Sequence, residues 1–140
     1  MLLSLIPEET KMKVVLDTNV LVSALINANG IPAQILALVL NGRLKMLCDN
    51  RMIFEYIDVL SRKEFGFSSE IINDMIDCFR RDGDYINAVP SKVKFIDEAD
   101  KKFYEVYKCG DAQYLITGNT KHFPREKSII TPKDFLLMYE

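Results

Sequence analysis

Apolar residues fall in short runs and helical stripes that alternate along the chain. The run at 14–16 (Val14, Val15, Leu16) is unbroken and largely β-branched, the pattern of a strand buried on both faces. Residues 19–27 read as a helix stopped at Asn29-Gly30, and Pro32 opens a second helix that ends at Asn41-Gly42. A second strand is predicted over 44–48. The stripe over 51–62, with Met52, Ile53, Tyr56, Ile57, Val59 and Leu60 facing inward, predicts a third helix. Ser68 or Ser69 caps a fourth, whose core face is Ile72, Met75, Ile76 and Phe79 and which Gly83 closes. A third strand is predicted over 85–89, stopped by Pro90, with an extended lead-in over 92–96. Asp97 caps a helix that runs to Lys108 and ends at Gly110. Strands over 114–117 and 128–130 and a last helix opened by Thr131-Pro132 complete the pattern. Strands alternating with helices predict an α/β domain with a five-stranded, mostly parallel sheet and right-handed crossovers.

Composition narrows the class. The 140 residues are 49% hydrophobic with six Gly and five Pro, which suits one packed domain and excludes a disordered chain. The net charge is -2, and no basic stripe advertises nucleic-acid binding; a polynucleotide role would rest on local geometry or bound cations. Cys48, Cys78 and Cys109 are odd in number and widely spaced, as expected of free thiols in a reducing cytoplasm. No run reaches membrane-spanning length. Residues 1–11 read as an N-terminal extension, with Met12 as an alternative start and 12–140 as the domain.

The apolar run at 14–16 ends in Asp17, and oxygen-bearing side chains recur at Glu55, Asp100 and Asn119. Open α/β sheets bind ligands beyond the carboxyl ends of their strands, which places Asp17 and Asn119 on the functional edge. Hard divalent cations take such oxygen ligands. Two carboxylates about 4 Å apart repel by roughly 4 kcal/mol at an effective dielectric of 20, so clustered acids imply a cation or a retained proton. Each residue also has a plain structural reading. Asp17 would cap the next helix, and Glu55 would join Arg51, Asp58 and Arg62 on a solvated, salt-bridged stripe. Asp97 and Asp100 would pair at a helix N-terminus, and Asn119 would serve a turn. His122, the single histidine, reads either as an RNA-contacting or catalytic residue or as a hydrogen-bonded loop residue.

At these positions the chain resembles the PIN-domain family, and within it the toxin components of toxin–antitoxin pairs. The resemblance runs from about Met12 to Tyr139. It rests on MKVVLDTNVLVSAL at 12–25, FEYIDVL around Glu55, DEADKKF at 97–103 and YLITGNTKHFP at 114–124. It implies a three-layer α/β/α sandwich and Mg²⁺- or Mn²⁺-dependent cleavage of RNA by one or two ions, leaving 5′-phosphate and 3′-hydroxyl ends. The family's four catalytic, metal-holding positions fall on Asp17, Glu55, Asp100 and Asn119, with Asp97 as a further ligand. Thr18, Asn19 and Thr117 match small polar positions beside the site. Lys101, Lys102, Lys121, Arg125 and Lys127 would meet the backbone of single-stranded RNA. Asn119 stands where many members carry Asp, which leaves three formal carboxylates. It also opens a second reading, a catalytically weak or inactive PIN-like module that binds a partner protein or RNA. A cognate antitoxin would cover the groove, and the apolar segment 31–40 would be either a homodimer surface or a buried helix.

Overall fold

The computed structural model describes Pro7 and residues 10–140. Most of the extension read over 1–11 therefore lies outside the described residues. Five strands form one sheet: β1 (Met12–Leu16), β2 (Leu44–Cys48), β3 (Asp84–Tyr85), β4 (Tyr114–Ile116) and β5 (Ile129–Ile130). Every pairing is parallel, in the order β3-β2-β1-β4-β5. Six helices connect or follow them among the described residues: α1 (Thr18–Ile26), α2 (Ile31–Leu40), α3 (Asn50–Leu60), α4 (Ser69–Asp82), α5 (Lys101–Cys109) and α6 (Pro132–Tyr139). The result is the predicted three-layer α/β/α architecture. No single helix among the described residues is long and apolar enough to cross a membrane.

The central strand explains the layering. Val14, Val15 and Leu16 are fully buried although successive side chains point to opposite faces, so both faces of the sheet are covered. Helix α5 lies against β1, β2 and β4. Its Phe103 stacks on Tyr56 of α3 at 6.3 Å between ring centres. The predicted inward face of α3 holds at Met52, Ile53, Tyr56 and Leu60, whereas Ile57 and Val59 are half-buried at its margins. The predicted core face of α4 is buried throughout, and Ser68 caps it through Ile71 N–H. Helix α2 buries Ile35, Leu36 and Val39 against its neighbours and leaves Leu40 exposed.

Two predicted elements differ. The third strand, expected over 85–89, is only Asp84–Tyr85. Its partner β2 ends at Cys48, whose carbonyl accepts from Ile86 N–H, and Asp49 then turns away to cap α3. With no strand left to pair, the chain leaves the sheet, and Val89 N–H turns to the Cys109 sulfur. The helix expected from Asp97 begins with a tight 3₁₀ turn, Glu98–Asp100, before α5. Asp97 caps that turn through Ala99 N–H at 2.9 Å.

Gly83 closes α4 against the sheet. A Cβ there would sit 2.5 Å from the Phe79 carbonyl oxygen and 3.1 Å from that of Met46. Both obstacles are backbone, so Gly83→Ala is expected to cost roughly 1–3 kcal/mol. Urea unfolding checks this: the midpoint should fall at unchanged slope.

Candidate metal centre

Strand order reverses between β1 and β4, and a crevice opens beyond their carboxyl ends. The residue after β1 is Asp17 and the residue after β4 is Thr117. Both are buried, and the Thr117 hydroxyl donates to Asp17 Oδ2 at 2.8 Å. The Asn19 side-chain amide donates to the same oxygen at 3.4 Å, while Asn19 Oδ1 accepts from Gly118 N–H at 3.1 Å. Asp17 stands at the N-cap of α1, but its side chain makes no capping hydrogen bond. The Thr117 hydroxyl, from the end of β4, holds the carboxylate instead.

Burial pushes the Asp17 carboxyl up from 3.8 to about 6; the Thr117 hydrogen bond opposes the rise, and the charges of Asp100 and Glu55 add to it. The Asp100 carboxyl is also raised, by burial first; its contact with His122 opposes the rise, while the charges of Asp97 and Glu55 favour it. The three acids thus share one electrostatic neighbourhood, although they come from the end of β1, from α3 and from the turn before α5.

Glu55 is held from two sides. The Thr18 hydroxyl donates to Oε2, and the Lys102 ammonium lies 2.7 Å from Oε1. The neighbouring Tyr56 hydroxyl donates to the Leu16 carbonyl at 2.5 Å, tying α3 to the end of β1. Asp100 Oδ2 faces His122 Nδ1 at 3.2 Å.

The fourth position sits apart. Asn119 is exposed at the lip, where its backbone N–H donates to the Thr117 hydroxyl at 3.0 Å, and it lines a small hollow with Asn19, Val20 and Gly118. Its side chain makes no hydrogen bond with the three carboxylates among the described residues. The Asp97 carboxylate is exposed and engaged in capping. Lys121, Arg125 and Lys127 are exposed. Lys101 approaches Glu98 at 3.9 Å, and Lys102 turns inward onto Glu55 rather than outward to the rim.

The PIN domain family model matches residues 13–121. The chain belongs to the PIN domain family. It is also 34% identical over 116 residues to Uncharacterized protein MJ1680 of Methanocaldococcus jannaschii, an alignment that covers 80% of this chain and 74% of that protein. PIN domains are in general nucleases, and they typically use divalent metal ions.

The donor set of this PIN domain suits a hard cation, because it consists of carboxylate oxygens with an amide oxygen at the lip. No three His, Cys, Asp or Glu side chains among the described residues close on one point. An ion held here would depend on one or two carboxylates, with water and substrate oxygens supplying the rest of its shell. Asp17 and Asp100 each accept their side-chain contacts on Oδ2 alone, whereas Glu55 is contacted on both oxygens.

Sequence reasoning did not foresee two supports of the site. Tyr56 carries a hydroxyl on the buried face next to Glu55. Glu105 is buried in α5, 2.7 Å from Arg51 of α3, and accepts from Ser91 N–H at 2.7 Å. A charged residue between Tyr104 and Val106, inside an apolar stretch, is the signal that would have found it.

Proposed function

We propose that this PIN domain is a metal-dependent endoribonuclease that cleaves single-stranded RNA as the toxin of a toxin–antitoxin pair in the cytoplasm. The observation that carries the catalytic part is the electrostatic influence of Asp100 and Glu55 on Asp17 at the sheet's switch point, where burial first and those charges after it raise Asp17 to about 6. Acids placed against their own repulsion in a crevice favour a cation-binding role over a capping one.

Asp17 and Asp100 would hold the Mg²⁺ or Mn²⁺ ion, with Glu55 behind them and Asn119 at the lip. The bound ion supplies a water of lowered pKa and neutralises charge on the scissile phosphate. The protein's own part is positional. Thr117 and Asn19 fix the Asp17 carboxylate, Thr18 fixes Glu55, and His122 fixes Asp100. Such outer partners set ligand orientation and are typically worth 10–100-fold in affinity or activity. Unstacked RNA suits the shallow crevice, because its bases and phosphates both reach it. The toxin role and a cognate antitoxin rest on the family resemblance of the motifs at 12–25 and 114–124.

The test is cleavage of an unstructured RNA by the purified protein with Mn²⁺, with EDTA, and by Asp100→Asn. Mn²⁺-dependent cutting that Asp100→Asn abolishes is the expected result. Absence of both cleavage and Mn²⁺ binding would favour the second reading, a PIN-like module that binds RNA or a partner without cutting. Asn119 at the usual Asp position is the feature behind that alternative.

A further inference from the structure

The chain carries eight Phe and six Tyr, and all but two of them pack against another ring. Phe54 and Tyr85 are the two that meet no other ring among the described residues. They are also the exposed ones, at 63% and 45%. Both lie near the candidate metal centre. Every strand is parallel, so all the carboxyl ends share one edge of the sheet. Tyr85 is the last residue of β3, two strands or roughly 10 Å from β1. Phe54 adjoins Glu55 on α3.

Two surface hollows link these rings to the acids. One, of about 660 Å³, is lined by Glu55, Phe54 and Arg51. The other, of about 510 Å³, is lined by Arg51, Asn50, Asn87 and Tyr85. Arg51 borders both, so one path leads from Glu55 past Phe54 and Arg51 to Tyr85. The Arg51 side chain is 48% exposed, and three of its five N–H groups are engaged, by Asp49 and Glu105. Two remain to face an occupant.

The charges along the path are already paired. Four carboxylates line the first hollow, and each has a cation against it: Glu55 has Lys102, Asp58 has Arg62, Glu98 has Lys101 and Glu105 has Arg51. A nucleic-acid strand laid here meets no bare carboxylate, and net charge does little to draw it in. Ring faces must then supply the affinity. A protein partner would call for a contiguous apolar patch. Here the two rings are set apart by a guanidinium and two amides, an arrangement that suits bases, each with a flat face and a hydrogen-bonding edge.

We propose that Phe54 and Tyr85 are stacking platforms for bases of single-stranded RNA, with Arg51 between them, and that the strand runs from the acids along α3 to the end of β3. This rests on the endoribonuclease reading above and specifies how its substrate is held. Stacking tolerates any base, so this side of the site fixes where the strand lies and not its sequence.

The experiment is fluorescence anisotropy of the full-length protein in EDTA, with a labelled oligouridine strand and an abasic ribose-phosphate strand of equal length. Wild type is expected to bind oligouridine more tightly than the abasic strand. Phe54→Ala and Tyr85→Ala should each weaken oligouridine binding by about 5- to 150-fold and leave abasic binding unchanged. Because stacking releases no counterions, that factor should be the same at roughly 50 and 200 mM salt. Phe54→Tyr and Tyr85→Phe, which keep the ring, should bind like wild type, whereas Phe54→Leu should bind like Phe54→Ala. Circular dichroism establishes folding for each variant. Alanine variants that match wild type, or that weaken both strands alike, would overturn the proposal, as would wild-type affinity in Phe54→Leu. A wild type that cuts RNA in Mn²⁺ yet binds oligouridine no better than the abasic strand would overturn it too, with the nuclease reading left standing. Neither binding nor cutting of RNA would remove both and leave a protein partner as the occupant of the path.

Discussion

Asp17→Asn is expected to abolish Mn²⁺-dependent RNA cleavage and, at neutral pH, to make the metal-free protein more stable. Loss of a partner that merely orients a ligand costs 10–100-fold, so loss of the ligand itself should cost at least about 100-fold. The stability effect follows from the direction of the pKa shift. The folded carboxyl is raised from 3.8 to about 6, so folding favours its protonated form. The contribution of that group is fully present below about pH 4 and is lost as pH rises through 6. At pH 7 the ionised Asp17 therefore burdens the fold by roughly 3 kcal/mol, taking 1.36 kcal/mol per pKa unit. Asparagine keeps an oxygen for the Thr117 hydroxyl and carries no charge. Its melting temperature at pH 7 should rise by several degrees, and the gap to wild type should close near pH 4. Mn²⁺ should raise the melting temperature of wild type and leave that of Asp17→Asn unchanged. Differential scanning calorimetry at the two pH values, with and without Mn²⁺, checks each statement. A variant that melts below wild type at pH 7 would show that Asp17 supports the fold rather than straining it.

Phe103→Ala is expected to cause the largest loss of stability of any substitution considered, roughly 3–5 kcal/mol. The ring is fully buried on α5, between the sheet and α3, and stacks on Tyr56. Removing it opens a cavity beneath the helix whose first turn carries Lys102. A domain of this size is stable by about 5–15 kcal/mol, so much of the margin goes with one side chain. Urea unfolding gives the number, and a cost below about 1.5 kcal/mol would mean that α5 is not anchored there. Phe103→Leu, which restores most of the volume, should recover at least half of the loss.

The fold was legible because its signals are local. Val14-Val15-Leu16, the helix stops at Asn29-Gly30 and Asn41-Gly42, and the Thr131-Pro132 start each act within one turn of chain, and each marks an element. The exception is 85–89, whose extended look depends on a neighbour: strand pairing there stops where Cys48 gives way to the cap at Asp49. The site was legible only in part, for the same reason. Asp17 is announced by the strand that ends at it. Glu55 sits on a charged stripe whose outward reading is reasonable, and only the packing of α5 on α3 brings Lys102 to it. Adjacent lysines at 101 and 102 look alike in sequence. What separates them is tertiary: Lys102 meets Glu55 of α3, whereas Lys101 approaches Glu98 in the preceding turn. Pairings such as Thr18 with Glu55, or His122 with Asp100, join residues tens of positions apart, and no local pattern encodes them.

The bond between Thr117 and Asp17 spans 100 positions, and β1 gains its β4 neighbour only through Tyr114, Leu115 and Ile116. During synthesis the amino-terminal half leaves the ribosome with the central strand bare along one side and its acid unheld. The crevice at the switch point can close only after β4 has emerged. Products that stop before residue 114 would lack both β4 and the Thr117 hydroxyl that holds Asp17.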